Sequence, residues 1–418
     1  MTASSTIPVF EEHGEVLAAW HERSVSGSTL ICFDRHLDVK AIAPAALEAL
    51  SSASMVAGAE TLASLNRDLP FRDDDTSAYG LDNFLYAALR LGMVRRLVWV
   101  KPDLRRVSDA KALAPELWSA LSLIAGHSAE IRESFMVSPA GPCVRIAGGV
   151  LHLTTIDLLP LLHLSPDTIV DVDLDFFGTE DGVVLQNPCD VAAALRRLRL
   201  ERIMSITCSI SSGFLAPSLR WLARAFADHL GRPVEFVGRR ANPAAPILRL
   251  LALGAPVSCA GLDRLVAKKL SSLGGPGWSL ASVLASRSGD ASLAEKLYWC
   301  AREACDGAHW PAYALGMHFL GAGDPAAALP WFQRAQGMLI DTIQLHSLCM
   351  EALCLARSGR YTEAFETARR ASNAAPLRRE PYIIATIAAE RLGDLDTAAD
   401  FRRRVGAVTR QMEAVARN

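Results

Sequence analysis

The sequence Asp167-Thr-Ile-Val-Asp171-Val-Asp173-Leu-Asp175-Phe-Phe177 is an apolar, β-prone run that ends in three alternating aspartates. A second stretch of the same kind lies upstream, where Ser28-Thr-Leu-Ile-Cys-Phe33 leads into Asp34-Arg-His36-Leu-Asp38. Alternate side chains of an extended strand share one face, so each set of polar side chains is predicted to point one way. Together the two stretches look like the halves of one metal site.

The chain around these stretches predicts an α/β domain over residues 1–245. Apolar strand-like runs alternate there with amphipathic segments, the pattern of a parallel sheet covered by helices. In such sheets the reactive groups lie at the carboxyl ends of the strands, where both acidic stretches fall. The predicted strands are Ile7–Phe10, Thr29–Phe33, Arg96–Val100, Thr168–Leu174, Arg202–Thr207 and Pro233–Val237, and the predicted helices are Glu15–Arg23, Asn83–Leu91, Asp190–Leu198 and Ala216–Leu230.

The last third of the chain carries an internal repeat. Gly289, Gly323, Gly359 and Gly393 recur at intervals of 34, 36 and 34 residues. A turn glycine between two antiparallel helices, with alanines that allow close packing, is typical of tetratricopeptide repeats. We predict about three and a half such repeats in an all-α solenoid over residues 279–418. A helical connector over residues 246–278 joins it to the first domain.

Composition excludes several classes of protein. A chain of 418 residues is too long for one core and predicts at least two domains. A net charge of −2 argues against nucleic-acid binding, and nine cysteines without C-x-x-C spacing argue against disulfide frameworks and cysteine zinc sites. No apolar run is long enough to span a membrane and no basic-then-apolar leader is present, so we expect a cytoplasmic protein.

The two acidic stretches predict bound metal. A lone D-x-D or D-x-H motif is commonly a solvated turn or a helix cap. Here both follow apolar strands, and three aspartates on one buried face would repel one another unless a cation neutralised them. Carboxylates with one or two imidazoles suit Mn²⁺ better than a closed zinc site. The predicted ligands are Asp34, His36, Asp38, Asp171, Asp173 and Asp175, with a structural role for His36 as the alternative.

The order of the motifs resembles the arginase and deacetylase superfamily, whose ureohydrolases carry D-x-H-x-D followed far downstream by D-x-D. Phe10-Glu-Glu-His13-Gly14 occupies the place of a further histidine ligand in those enzymes, although a structural role for His13 is the alternative. The segments Tyr79–Gly92, Val98–Pro102 and Val172–Phe177 are similar to an atypical arginase-like family that includes the bacterial peptide arginases. The resemblance covers residues 7–215 and not the repeats.

This resemblance implies a three-layer α/β fold of arginase/deacetylase type with two Mn²⁺ ions per chain. The implied activity converts arginine side chains of a ribosomally made precursor peptide to ornithine, with release of urea. The two ions would acidify a water molecule for attack on the guanidinium carbon. The repeats would then dock the precursor or its leader.

The sequence departs from ordinary arginases in three ways. The first two are the lack of a shuttle histidine after the first motif and the lack of a guanidinium-binding glutamate after the second. The general acid, a separate matter, is not identified. The third departure concerns the aspartates. The acidic triplet replaces a two-aspartate motif, so either Asp171 with Asp173 or Asp173 with Asp175 ligates the metal.

Three further residues are candidates for substrate binding, namely Asp82, Asn83 and Ser209. Asp82 and Asn83 precede a helix and are also interpreted as its N-cap, while Ser209 lies in a segment that also fits a plain polar loop. Two other functions remain open beside the peptide substrate. One is hydrolysis of free arginine, agmatine or an acylated amine, and the other is an inactive interaction scaffold.

Overall fold

A computed structural model describes residues 6–56, 58–67, 77–102, 109–122, 124, 126–165, 167–200, 202–237, 250, 274–304, 309–336 and 342–417. The described residues fall into an α/β part up to residue 237 and an all-α part from residue 274 onward. Most of the predicted connector, residues 246–278, lies outside the described residues.

The α/β part is built on one sheet of nine strands within the described residues. The strands are β1 (Ile7–Phe10), β2 (Ser28–Phe33), β3 (Val94–Val100), β4 (Met136–Ser138), β5 (Gly141–Ile146), β6 (Gly149–Thr154), β7 (Ile169–Asp173), β8 (Ile203–Thr207) and β9 (Val234–Phe236). Their order is β4-β5-β6-β3-β2-β7-β8-β1-β9, and all neighbours from β6 to β9 run parallel. The six predicted strands are confirmed to within two residues at each end.

Helices cover both faces of this sheet and make three layers. The helices are α1 (Val16–Glu22), α2 (Pro44–Val56), α3 (Gly58–Ser64), α4 (Phe84–Arg90), α5 (Ala114–Leu121), α6 (Ser128–Ser134), α7 (Pro188–Arg197) and α8 (Leu222–Leu230). One face buries Trp20, Phe84 and Trp118 in a single apolar cluster. The other face buries Phe177 and Phe226 in a second cluster. An α/β sheet buried on both faces is therefore the observed fold class, as predicted.

Strands β4 to β6 were not predicted, and their connections explain why. They form two antiparallel hairpins instead of continuing the βα alternation. Their turns place Ala147 and Gly148 at φ 56° and 86°. Gly141 has φ 133°, and a Cβ there would collide with the carbonyl oxygen of Leu153. Short strands divided by glycine turns carry little of the periodicity on which the prediction relied.

Within the described residues, the all-α part contains four helix pairs, more than the three and a half repeats predicted. The turn residues Gly289, Gly323, Gly359 and Gly393 all have φ between 76° and 87°, the left-handed conformation with which helices commonly end. The pairs are α9 (Gly274–Arg287) with α10 (Ala291–Ala304), α11 (His309–Gly321) with α12 (Pro325–Arg334), α13 (Thr342–Arg357) with α14 (Tyr361–Ala374), and α15 (Glu380–Arg391) with α16 (Leu395–Arg417). The repeat region thus begins before residue 279.

The repeats also contact the α/β part. Helix α16 packs against α5, and Leu377 is buried in the same apolar cluster as Trp118. Among the described residues, no helix combines the length and the apolar character needed to cross a membrane.

Candidate metal centre

The predicted ligands come from the carboxyl ends of neighbouring strands. His13 begins a 3-10 turn, His13–Glu15, directly after β1. The loop after β2 carries Asp34, His36 and Asp38, and β7 ends at Asp173. Asp175 lies in the next 3-10 turn, Leu174–Phe176. Because β2, β7, β8 and β1 are adjacent and parallel, these ends meet at one edge of the sheet.

The inner part of the cluster surrounds one imidazole nitrogen. His13 Nδ1 lies 3.2 Å from Asp34 Oδ2, 3.3 Å from Asp38 Oδ2 and 3.1 Å from Asp173 Oδ2. All four residues are buried, yet His13 Nδ1 and Asp34 Oδ2 have no hydrogen-bond partner. Two ligands that each lie about 2.1 Å from one ion stand roughly 3.2 Å apart at an angle near 100°. This donor set therefore fits a divalent cation.

The outer part of the cluster is more accessible. His36 Nδ1 lies 2.7 Å from Asp175 Oδ2 and 4.0 Å from Asp34 Oδ1, and the side chain of His36 is 41% exposed. Asp34 Oδ1 also accepts a hydrogen bond from the backbone N–H of His36 at 2.7 Å. Asp34 thus directs one oxygen toward each part of the cluster.

Asp171 lies on the opposite side of the His13 ring. Its Oδ2 is 2.6 Å from His13 Nε2 and accepts from the thiol of Cys32 at 3.6 Å. Its Oδ1 accepts from Ser205 Oγ at 2.5 Å. Of the two registers that the sequence left open, the structure brings Asp173 and Asp175 to Asp34, and it places Asp171 behind the histidine.

Burial and like charge shift the pKa of the carboxylates. Burial, and then the neighbouring Asp175, raises the pKa of Asp173 to about 6. Burial with Asp175 and Asp38 raises the pKa of Asp34 well above its usual range. Asp175 has a lowered pKa because its hydrogen bond with His36 outweighs burial. Without a cation, part of this cluster therefore holds protons near neutral pH.

The two histidines are also shifted. Burial lowers the pKa of His13, but Asp171 and Asp173 beside it raise that pKa well above its usual range. Burial likewise opposes protonation of His36, and Asp175 together with Asp34 raises its pKa to about 9. Both rings take the place of a cation among carboxylates, which is the role a bound metal ion would assume.

The predicted substrate residues differ in their placement. Asp82 pairs with Lys40 at 3.1 Å and with Arg67 at 3.0 Å, and these cations outweigh burial and lower its pKa to about 2. Asn83 is the residue before α4, but its Oδ1 accepts from Gly80 N at 2.8 Å and not from a helix N–H. Ser209 alone joins the cluster, because its Oγ donates to Asp173 Oδ2 at 2.5 Å.

Ser209 is held in an unusual backbone conformation. Its φ is 49°, in the left-handed region that non-glycine residues rarely occupy, and the residue is buried. Residues in this conformation concentrate at sites where a side chain must be aimed against the local backbone preference. Here the hydroxyl is aimed at Asp173.

Sequence reasoning missed Glu12. Its Oε1 accepts from Ser212 N at 2.7 Å, and its Oε2 is buried without a hydrogen-bond partner. Burial, and then the nearby charges of Glu11 and Asp173, raises the pKa of Glu12 to about 8. The position of Glu12, two residues after β1 and next to His13, is the signal that identifies it. Its neighbour Glu11 is instead neutralised by Arg220 at 2.7 Å.

Comparison with known proteins gives matches of fold only. No family model and no curated protein matches the chain. A solved structure titled YrrB, "a TPR protein with an unusual peptide-binding site", is 17% identical with a TM-score of 0.32, over 42% of this chain and 85% of that chain. MamA is 13% identical with a TM-score of 0.33, over 41% of this chain and 96% of that chain. MamA from Desulfovibrio magneticus RS-1 is 14% identical with a TM-score of 0.33, over 40% and 93%.

These comparisons correct the predicted family. The matching structures named above are repeat proteins and none is arginase-like, so the assignment to the arginase and deacetylase superfamily, closest to the peptide arginases, is wrong. The motifs that carried it are short. Unrelated proteins can place aspartates and a histidine at the strand ends of a parallel sheet, so these motifs indicate chemistry and not ancestry. The case for metal now depends on the cluster itself.

Proposed function

We propose that this protein is a hydrolase that depends on two divalent metal ions, Mn²⁺ being the expected ion, and that acts on the arginine side chain of a peptide. The observation that carries the proposal is that the buried atoms His13 Nδ1 and Asp34 Oδ2 lie 3.2 Å apart beside two further carboxylates, and neither atom has a hydrogen-bond partner. Buried polar atoms are almost always hydrogen-bonded, so two such atoms facing each other across carboxylates support a missing cation.

The residues form one set of donors for each proposed ion. His13, Asp34, Asp38 and Asp173 would hold the inner ion, and Asp34, His36 and Asp175 the outer one. Oxygen-rich ligation with one imidazole per ion suits Mn²⁺. When bound, divalent ions supply a water nucleophile that ionises near neutral pH and stabilise negative charge that develops on the substrate.

The charge of the site supports a cationic substrate. Six carboxylates lie in this site, and Glu12, with its pKa raised to about 8, is mostly protonated at neutral pH. When the histidines are neutral, two divalent ions therefore leave an excess of about one negative charge. An anionic substrate would be repelled by this excess, whereas a guanidinium group would be attracted. The carboxylates are Glu12, Asp34, Asp38, Asp171, Asp173 and Asp175.

The chain's own residues would order this site. Ser209 fixes Asp173 through its hydroxyl, and Ser212 N holds Glu12. His13 is 1% exposed and the side chain of His36 is 41% exposed, so a substrate would approach from the side of His36. The buried inner part would exclude bulk water, which strengthens every charge interaction there.

The repeats would bind the peptide that carries the arginine, either the precursor or its leader. Stacked helix pairs present an extended surface suited to a peptide. On the first helices of their pairs, Met317, Ile383 and Ile387 stay between 40% and 45% exposed. Apolar side chains exposed on that part of a repeat array support peptide contact. Free arginine, agmatine or an acylated amine would need no such surface.

The test is metal content followed by turnover. Elemental analysis should find about two Mn²⁺ ions per chain in the wild type. Asp173→Ala should lose metal, whereas Asp82→Asn, which changes a carboxylate already paired with Lys40 and Arg67, should keep it. Urea release from arginine-containing peptides should then depend on Asp173. A wild type that neither contains nor takes up Mn²⁺ overturns the proposal and favours an interaction protein without hydrolase activity.

A further inference from the structure

The structure contains a buried chain of hydrogen bonds that ends at His13. Trp20 Nε1 donates to Ser205 Oγ at 3.0 Å, and Ser205 Oγ donates to Asp171 Oδ1 at 2.5 Å. Asp171 Oδ2 then lies 2.6 Å from His13 Nε2. None of these four residues is more than 1% exposed. Helix α1, strand β8, strand β7 and the end of β1 each contribute one member.

We propose that Asp171 is a positioning residue and not a metal ligand: it fixes the ring of His13 so that Nδ1 presents a lone pair to the inner ion. This inference rests on the proposed metal site. When an ion displaces the proton from Nδ1, the proton that remains on Nε2 is held by Asp171, and Nδ1 is the nitrogen that faces Asp34, Asp38 and Asp173.

The hydrogen bonds of Asp171 support this role. Both of its oxygens are engaged, Oδ1 by Ser205 and Oδ2 by His13 and Cys32. Asp34 differs, because its Oδ2 has no partner and is therefore free to bind an ion. Asp171 also contacts Nε2, on the opposite side of the ring from the oxygens of Asp34, Asp38 and Asp173 that face Nδ1. A carboxylate in that position anchors the imidazole from behind.

The rest of the chain makes the anchor rigid. The hydroxyl of Ser205 donates its single proton to Asp171 and accepts the indole N–H of Trp20, and these two hydrogen bonds fix its direction. Phe84 packs against the His13 ring at a centroid distance of 4.3 Å and limits its rotation. Hydrogen-bonded carboxylates behind a ligating histidine typically change metal affinity by about 10-fold to 100-fold when mutated.

Two buried tryptophans offer a matched comparison. Trp20 and Trp118 are at most 1% exposed and lie in the same apolar cluster. Trp20 Nε1 belongs to the hydrogen-bond chain, whereas Trp118 Nε1 has no partner. Phenylalanine at either position removes a similar apolar volume and one indole N–H. Only the first substitution breaks the chain that leads to His13.

The experiment measures Mn²⁺ affinity and stoichiometry by calorimetry on metal-free full-length protein. Asp171→Asn should keep the wild-type number of ions at saturation but bind the inner ion about 10-fold to 100-fold more weakly. Trp20→Phe should also weaken binding, and Trp118→Phe should not. In Zn²⁺-loaded protein, long-range ¹H–¹⁵N spectra should show His13 protonated at Nε2.

Each outcome has a distinct meaning. A wild type that binds no metal removes the proposed function itself. If the wild type binds metal, an Asp171→Asn protein with one ion fewer at saturation would make Asp171 a ligand and overturn the inference. Equal affinities in the Trp20→Phe and Trp118→Phe proteins overturn it as well, and this pair remains informative even if Asp171→Asn does not fold.

Discussion

Replacing Asp173 with asparagine is expected to stabilise the metal-free protein. Asp173 is 3% exposed and stands among other carboxylates, so its ionised form is unfavourable without a cation. Asparagine has nearly the same shape and can keep both hydrogen bonds, by accepting from Asp175 N and by donating to Ser209 Oγ. The substitution therefore removes charge with little change in packing.

The size of the effect follows from the pKa of Asp173. A rise from 3.8 to about 6 corresponds to about 3 kcal/mol at a pH above both values. Because the pKa of Asp173 is higher in the folded protein, the protonated carboxyl group stabilises the fold below pH 3.8, and this stability is lost as the pH rises through 6. The hydrogen bonds of the neutral asparagine are weaker than those of the carboxylate, which reduces this gain in stability by about 1 kcal/mol. The variant should gain roughly 2 kcal/mol at pH 8 and almost nothing near pH 4.

Urea denaturation with a chelator, at pH 4, 6 and 8, measures this gain. Mn²⁺ should reverse the order at pH 8, because an ion at 100 times its Kd stabilises the wild type by about 2.7 kcal/mol and cannot bind the variant well. Asp171→Asn is the matched control on the same strand. It should be less stable than the wild type with and without metal, since it loses a charged acceptor for His13 and Ser205.

The reasoning is refuted if Asp173→Asn is less stable than the wild type at pH 8 in the presence of chelator. It is equally refuted if Mn²⁺ stabilises the variant and the wild type by the same amount. The first result would mean that the cluster is not electrostatically strained. The second would mean that the ion does not contact Asp173.

Three further predictions concern residues away from the proposed metal site. Asp82→Asn should lose roughly 1 kcal/mol at pH 7, since its ion pairs with Lys40 and Arg67 are partly screened at 32% side-chain exposure, and urea denaturation should show the loss. The pKa of Asp82 is lowered from 3.8 to about 2, so its contribution is present above 3.8 and disappears as the pH falls through 2. Gly141→Ala should destabilise the β5–β6 hairpin by about 3 kcal/mol or more in the same assay, because φ is 133° and a Cβ collides with the Leu153 carbonyl. Gly321→Ala should raise the Tm of the repeats, because Gly321 lies in a helix and has open space around a Cβ. Gly323→Ala should lower the Tm, because φ is 81° there and an alanine would reduce the free energy of unfolding by about 1 kcal/mol.

Much of the fold could be predicted from the periodicity of apolar residues. The edge of the sheet that carries the candidate metal centre followed from the same pattern. The six parallel strands have apolar runs with clear ends, so their carboxyl termini located the predicted ligands. The direction of each side chain was not predictable in the same way. Asp171 and Asp173 share a face, yet they approach opposite nitrogens of His13, because a 3-10 turn sets the position of that ring.

The hydrogen-bond partners of Asp171 could also not be predicted from the sequence. Ser205 and Trp20 lie 34 and 151 residues away in the chain, and only the pairing of β7 with β8 and the packing of α1 bring them together. Asp82 shows the opposite case. A carboxylate at this position was expected to bind substrate, but ion pairs with Lys40 and Arg67 compensate its negative charge. Long-range pairing decides which carboxylates remain available.

The loss of folding stability that the acidic cluster would cause without a cation supports the proposed ion more strongly than the types of residue in the cluster do. Carboxylates buried beside one another destabilise a fold unless they are compensated, and isosteric amides would remove that cost. A domain that served only as a scaffold would gain stability from such changes and lose nothing. The chain instead keeps Asp34, Asp38 and Asp173 around an imidazole nitrogen without a hydrogen-bond partner, and it positions Ser209 at φ 49° to hold one of them. An arrangement that is unfavourable when empty and that a cation would compensate supports the proposed metal site.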